Sequence, residues 1–215
     1  MTSSPRPMSL EARVGLHCID AGARRAAWAR VPALWQATRA SALAVMLHGS
    51  GDQPEHGLAL LEPYAAATNI IVLALPSTNF TWDAIIGRFG PDIKTIQHGL
   101  HWVYERYAID PLRVAVGGFS DGASYALSLA VGNGRLFSHA IALSPGFIPS
   151  IPTEGHIPMF ISHGTRDGVL PIDRCSQPIV LNLRRDGHAV EYHEFDGGHM
   201  IPHGIAQAAV DWFMR

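Results

Sequence analysis

Lysine is almost missing from this 215-residue chain. Lys94 stands alone against fifteen arginines. A skewed codon composition produces such an imbalance, but it has a chemical consequence: only one side chain is available for Schiff-base or serine–lysine chemistry. Cysteine is nearly as scarce. Cys18 and Cys175 lie far apart and in no metal-ligand spacing, which fits a reducing compartment better than a disulfide scaffold. Charge is low as well, at 16% of residues with a formal net charge of −2, so nothing favours a nucleic acid or an anionic membrane as partner. No apolar run approaches the ~18 residues of a membrane span, and the first residues, "MTSSPRPMSLEAR", lack the apolar centre of a signal peptide. Neither H-E-x-x-H nor H-x-H-x-D occurs among the twelve histidines. The expectation is a cytoplasmic protein with no metal, no organic cofactor, no nucleic-acid partner and no membrane insertion.

What is present is core-forming material. Apolar residues make up 47% of the chain, enough for one domain with a large interior. We expect a loose tail over 1–9 and a single domain over 10–215. Two early strands are read in "EARVGLHCI" and "RRAAWARVP". Continuous apolar runs follow in "ALAVMLHG", "NIIVLALP", "RVAVGGF", "HAIALSP" and "PMFISHG", with a last strand at "VEYHEF". Helical periodicity lies between them. Ile93, Ile96, Leu100, Val103 and Tyr107 recur near every 3.6 residues, as do Ala123, Ala126, Leu127 and Ala130, and finally Ile205, Ala208, Ala209 and Trp212. "LALLEPYAAAT" is helical in composition with Pro63 perturbing or restarting it, "STNFTWDAIIGRFGP" reads as a long loop, and Gly187 stops a helix within "IDRCSQPIVLNLRRDG". Strands that alternate with helices and stay apolar on both sides indicate an α/β fold, with a mostly parallel sheet covered by helices on both faces. Sites in such sheets form outside the carboxyl ends of the strands.

One such end carries Gly118-Phe119-Ser120-Asp121-Gly122, a G-x-S-x-G pattern between a strand and a helix. A serine on so sharp a turn lifts its hydroxyl above the sheet, and side chains at 118 and 122 would collide with neighbouring elements. The helix start offers free N–H groups to developing negative charge. Ser144 in "ALSPG" lacks the preceding glycine, and Pro145 removes a donor. A hydroxyl needs a base to become a nucleophile. His199, in the glycine turn "FDGGHMIP" after the last strand, is the candidate. His203 four residues later suggests no metal site without a third ligand, and His98 and His101 belong to a helical pattern. Asp167, in "HGTRDGVLP", follows the preceding strand and is the candidate to orient the imidazole, with Asp196 the weaker alternative. "LHGSGD" ends the third strand, so the N–H of Ser50 can join that of Asp121 as an oxyanion hole. The carboxylate of Asp121 is expected to cap the helix.

Taken together, "LHGSGD", "GFSDGA", "HGTRDGVLP" and "GGHMIP" resemble the phospholipase/carboxylesterase group of α/β-hydrolases, which includes small carboxylesterases and acyl-protein thioesterases. The likeness covers roughly 40–215. It implies an α/β-hydrolase fold, Ser120 as nucleophile, Asp167 as acid, His199 as base, and Ser50 with Asp121 as oxyanion donors. The chain departs from the group's usual L-G-D after H-G and Q-G after the serine. It has Ser50-Gly51-Asp52 and Asp121-Gly122 instead.

A short, proline-broken loop, "SPGFIPSIPTEGHIP", leaves no room for a large cap domain, and no amphipathic lid helix is evident. Phe80, Trp82, Phe147, Ile148, Met200 and Ile201 fall on the loops that could line an apolar substrate pocket. The reading is a serine carboxylesterase acting on short- to medium-chain carboxylic esters or thioesters, with a small-molecule ester as its partner. An acyltransferase or peptidase with the same three residues, and a non-catalytic binding protein on the same scaffold, are the alternatives. The oligomeric state is left open, a homodimer included.

Overall fold

The computed structural model describes residues 12–65, 67–87, 89–149 and 151–215. The expected tail over 1–9 lies outside them. The chain builds one eight-stranded sheet from β1 (Gly15–Ile19), β2 (Ala27–Val31), β3 (Ser41–Leu47), β4 (Ile70–Leu75), β5 (Ile109–Phe119), β6 (His139–Leu143), β7 (Met159–Gly164) and β8 (Val190–Phe195). The spatial order is β1-β2-β4-β3-β5-β6-β7-β8. The β1–β2 and β2–β4 pairings are antiparallel and all later ones parallel.

The periodicity of the central strands explains the layering. In β3, Leu43, Val45 and Leu47 face one core, while Ala42, Ala44 and Met46 face the other; in β4, Ile71, Leu73 and Leu75 oppose Ile70, Val72 and Ala74 in the same way. A strand apolar on both sides must be covered twice. Helices α3 (Pro91–Arg106), α4 (Asp121–Gly132) and α5 (Ser176–Arg185) cover the first face. Helices α1 (Pro54–Ala59), α2 (Glu62–Ala65) and α6 (His203–Phe213) cover the second. The chain leaves β3 toward β4 on one side and returns past it to β5 on the other. Right-handed crossovers in opposite directions therefore place their helices on opposite faces. The reversal opens a crevice at the carboxyl ends of β3 and β5, where such sheets hold their sites.

Three expectations change. The outermost strands are not apolar throughout: β1 alternates in burial and β8 is largely half-exposed, because an edge strand has solvent beside it. The helical segment after β3 begins earlier, with Pro54 at its start, while Pro63 falls in the first turn of α2 and restarts the helix there, one of the two roles expected of it. The stretch read as a long loop contains a 3-10 turn, Asp83–Ile86. That turn is held by two carboxylates. Asp92 accepts the Asp83 N–H at 2.7 Å, and Asp83 accepts the Asp92 N–H at 3.0 Å.

Helix α6 returns the chain to the second face and so anchors the loop after β8. Phe213 is 2% exposed and lies edge-on to the His139 ring at a centroid distance of 5.2 Å. Phe213→Ala is expected to cost about 3–5 kcal/mol of unfolding free energy, read from urea denaturation. A loss below about 1 kcal/mol would contradict the placement of α6 in the core.

Candidate active site

The tightest constraint lies at the end of β5. Ser120 has φ 56° and ψ −123°, a left-handed conformation that a side chain rarely adopts. Its N–H donates to Leu143 O at 3.0 Å and its C=O accepts the Ser124 N–H at 3.0 Å, so both neighbouring elements hold the turn. A Cβ at Gly118 would stand 2.6 Å from both Leu47 O and the Gly122 carbonyl carbon; one at Gly122 would run into the carbonyl oxygens of Leu47 and His48. The glycines thus let the corner lie directly on the backbone end of β3, as the sequence leads one to expect.

Two other loops meet this corner. His199 Nε2 lies 3.0 Å from Ser120 Oγ, and His199 Nδ1 lies 2.6 Å from Asp167 Oδ2. Asp167 also accepts the N–H groups of Val169 at 2.9 Å and Leu170 at 2.8 Å through Oδ1. An ionised carboxylate only accepts, so Nδ1 carries the imidazole proton and Nε2 is free to accept from the serine hydroxyl. Burial works against charge on Asp167, but the Leu170 N–H, the His199 ring and the Val169 N–H together hold its carboxyl below the usual range. The acid and base loops touch because residue 164 is glycine; a Cβ there would strike the carbonyl oxygens of Gly197 and Gly198. Phe119 places its ring 4.6 Å from that of His199, giving the imidazole a wall.

Asp121 follows Ser120 directly, and Ser50 follows Gly49, at which a Cβ would lie 3.6 Å from that of Ser120. In the turn after β3, the Gly51 N–H goes to Phe80 O and the Asp52 N–H to Gly49 O, while the Ser50 N–H has no acceptor within the described residues. Asp121 begins α4, so its N–H also lacks an intrahelical partner. The peptide between Gly49 and Ser50 is fixed from behind. His48 Nδ1–H donates to Gly49 O at 2.7 Å, and His48 Nε2 accepts the Ser77 N–H at 3.1 Å. Burial above all pushes the His48 pKa down and keeps this pattern neutral. Since the C=O and N–H of a trans peptide point in opposite directions, anchoring the one aims the other.

Several expectations are corrected here. Trp82 does not line a pocket: it is fully buried, its Nε1–H donates to His48 O at 2.9 Å, and its ring stacks on Tyr125. An indole in the core needs an acceptor, and the end of β3 supplies one. Ile201 packs toward the core under α6, and Ile148 is half-buried against the other face. Phe147 and Ile148 together border a cavity of about 370 Å³ beside α5. Phe80, Phe147 and Met200 are exposed on the rim. The carboxylate of Asp121 does not cap α4; it accepts the Thr81 hydroxyl at 2.6 Å and so ties down the loop after β4. Asp196 is turned outward in an ion pair with Arg166 at 2.9 Å. His203 stands edge-on to Tyr64, and among the described residues no group of three or more His, Cys, Asp or Glu could hold a metal. Ser144 is itself left-handed, at φ 52°, with its hydroxyl buried and unpartnered.

Sequence reasoning missed Arg25. From the β1–β2 connection its guanidinium reaches Asp52 O at 2.8 Å, Ser77 O at 2.8 Å, Ser77 Oγ at 2.9 Å and Asn79 O at 3.3 Å. One planar donor fork therefore joins the loop after β3 to the loop after β4. Ser124 was missed as well. Its Oγ accepts the Gly146 N–H at 2.9 Å and fastens the loop after β6 to α4. Nothing in a linear pattern marks an arginine among fifteen or a serine inside a helix.

A sheet of this order, with a left-handed serine at the end of β5 and a histidine and an aspartate from the last two loops beside it, defines a serine hydrolase of the α/β-hydrolase fold. The chain belongs to the phospholipase/carboxylesterase family, whose sequence model matches residues 93–212. No curated protein matches it in sequence. Among solved structures it is similar to Thermogutta terrifontis esterase 2 phosphoramylated by tabun (16% identity over 93% of this chain and 94% of that one, TM-score 0.73). It is also similar to a phospholipase/carboxylesterase from Dyadobacter fermentans (21% identity, 98% and 100% covered, TM-score 0.62) and to the Bacillus cereus carboxylesterase (21% identity, 81% and 88% covered, TM-score 0.64). At these identities the likeness is one of fold.

Two outcomes follow from this geometry. The folded Asp167 carboxyl titrates below its ordinary value of 3.8, so the stabilisation from its contacts is present above that value and lost as pH falls through the lowered one. The stability gap between the parent and Asp167→Asn, measured by urea denaturation from pH 3 to 7, should be constant near neutrality and shrink below about pH 4. Arg25→Ala should lower kcat on an aryl ester by about 10- to 100-fold, less than outright loss of an oxyanion donor. Arg25→Lys should recover only part of it, because an ammonium lacks the fork. Full activity in Arg25→Ala would contradict the account of the two loops.

Proposed function

We propose that the protein is a carboxylesterase that cleaves short- to medium-chain carboxylic esters or thioesters through an acyl-serine intermediate. The observation that carries the reading is the unbroken hydrogen-bonded line from Ser120 Oγ through His199 to Asp167, beside two N–H groups with no acceptor. Ser120 attacks the ester carbonyl as His199 Nε2 takes its proton. The carbonyl oxygen, now negative, is held by the N–H groups of Ser50 and Asp121. His199 then gives its proton to the leaving alcohol or thiol, next takes one from a water as that water adds to the acyl carbonyl, and returns it to Ser120 Oγ as the carboxylic acid leaves. Asp167 holds the ring in one tautomer throughout and stabilises the imidazolium. Each step is proton transfer or acyl transfer, for which the chain's own groups suffice.

The acyl or alcohol part of the substrate would lie on the exposed apolar rim formed by Phe80, Phe147 and Met200. Small size is part of the proposal. Among the described residues no amphipathic helix covers the site, and the rim offers side chains where a capped lipase would offer a tunnel. A cytoplasmic setting completes it, resting on two unpaired cysteines, one exposed and one buried. No helix in the described residues is long and apolar enough to cross a membrane.

The test is Ser120→Ala on an aryl butyrate. Turnover should fall by at least about 10⁴-fold while circular dichroism and the thermal midpoint stay unchanged. The parent should label with a fluorophosphonate and the variant should not. Comparable turnover in the variant would overturn the assignment. A parent that neither labels nor turns over esters would favour a binding protein. Transfer to an added alcohol in preference to water would make it an acyltransferase.

A further inference from the structure

Two histidines face the acid, and the proposed mechanism uses only one of them. His163, the penultimate residue of β7, has a fully buried side chain. Its Nε2 lies 2.8 Å from Leu170 O and 3.2 Å from Asp167 Oδ2. A carbonyl can only accept, so Nε2 must carry a hydrogen; that hydrogen is given to Leu170 O, and Asp167 Oδ2 lies 3.2 Å from the same nitrogen. Nδ1 is buried with no partner. Protonating it would create a charged N–H without an acceptor in a dry site. Burial, the largest influence, lowers the His163 pKa accordingly and outweighs the opposing pull of Leu170 O and Asp167. The ring therefore stays neutral, with its proton on Nε2.

We propose that His163 is a positioning residue for the acid: its Nε2–H holds Asp167 Oδ2 in place and sets how strongly that oxygen attracts the proton of His199. The proposal rests on the mechanism above and goes beyond it. Three hydrogen bonds then meet the carboxylate, from Val169 and Leu170 on Oδ1 and from His199 on Oδ2, while the His163 N–H dipole lies beside Oδ2 with its nitrogen at 3.2 Å. Leu170 closes the ring, giving its N–H to Asp167 and its C=O to His163. The acid is thus locked from the side opposite the base. The positive end of the His163 N–H dipole beside Oδ2 also stabilises negative charge there, so the imidazolium of His199 is held less tightly than it would be without that neighbour.

On the acid loop, Arg166 is turned outward to Asp196, and on the base loop His199 faces the carboxylate. From the start of α5, the nearest titratable group is the Cys175 thiol, whose pKa is raised by burial first and by Asp167 next, so it remains neutral. Asp173 and Arg174 lie near Cys175, with opposing effects on its thiol.

The test compares His163→Leu, which keeps bulk but removes the donor, with His163→Gln, whose amide can still donate. In His163→Leu, kcat should fall by about 10- to 100-fold, the usual effect of removing a partner that orients a reacting group. The acidic limb of the kcat/KM–pH profile should also move to higher pH, by about 0.5 to 1, because the carboxylate without that neighbour holds the imidazolium more tightly. His163→Gln should recover most of the rate and return the limb toward that of the parent. A purely structural role would lower the rate equally at every pH and leave the limb in place. That result, or a glutamine no better than leucine, overturns the proposal. A measurement on the parent needs no variant to fold. With ¹⁵N-labelled histidine, the neutral His163 ring should show the Nε2–H tautomer; the other tautomer also overturns it. Residual esterase activity in Ser120→Ala would instead sink the underlying mechanism, so the two failures are distinguishable.

Discussion

Everything at this site hangs on one backbone contact, the corner after β5 resting on the last carbonyls of β3. Gly118 and Gly122 make it by having no Cβ, and Ser120 sits between them in a conformation that costs roughly 1–3 kcal/mol. The bonds from Ser120 to Leu143 and Ser124 offset that strain. Because the corner is so close to β3, the first N–H of α4 and the N–H of Ser50 are brought to the same small region.

Around that contact runs a layer of buried polar groups whose bonds point along the surface, from loop to loop. Arg25 joins the loops after β3 and β4; Thr81 joins the second of these to α4 through Asp121; Ser124 joins α4 to the loop after β6; His163 and Leu170 join β7 to the acid. Asp83 and Asp92 brace the 3-10 turn beneath, with burial raising the Asp92 pKa against the bonds it accepts. Such groups are expensive to bury unless satisfied, so once paired they resist movement. Rigidity is what transition-state stabilisation needs, since donors already in place do not have to reorganise as charge develops.

The outer rim follows the opposite rule. Phe80, Ile86, Phe89, Phe147, Val169 and Met200 stand exposed on loops at the carboxyl edge. They share few polar ties, and with no cap above them they present apolar surface directly to solvent. A rigid polar layer under a loose apolar rim separates chemistry from substrate choice: loop side chains can change without disturbing the proton path.

The linear pattern carried the fold and the nucleophile corner because both are local. Runs such as "NIIVLALP" can only be strands covered on two sides, and glycines spaced two residues either side of a serine mark a backbone that must approach another backbone. Chain order and strand ends likewise pointed to Asp167 and His199, which the fold brings into hydrogen-bond distance of each other and of Ser120. Trp82, Ile201, Arg25, Ser124 and His163 were beyond that reach. Whether an indole lines a pocket or props a strand depends on which carbonyl lies opposite, and here that carbonyl is 34 residues away. The partners of Arg25 lie 27 to 54 residues along the chain, and the His163 ring acquires its meaning only when the loop to Leu170 folds back onto it. The sequence by itself determined which elements form and where the reactive corner must fall, since those rest on periodicity and the lack of a Cβ. Only the tertiary structure decided which polar groups hold that corner still, since a hydrogen bond between distant residues leaves no trace in their spacing.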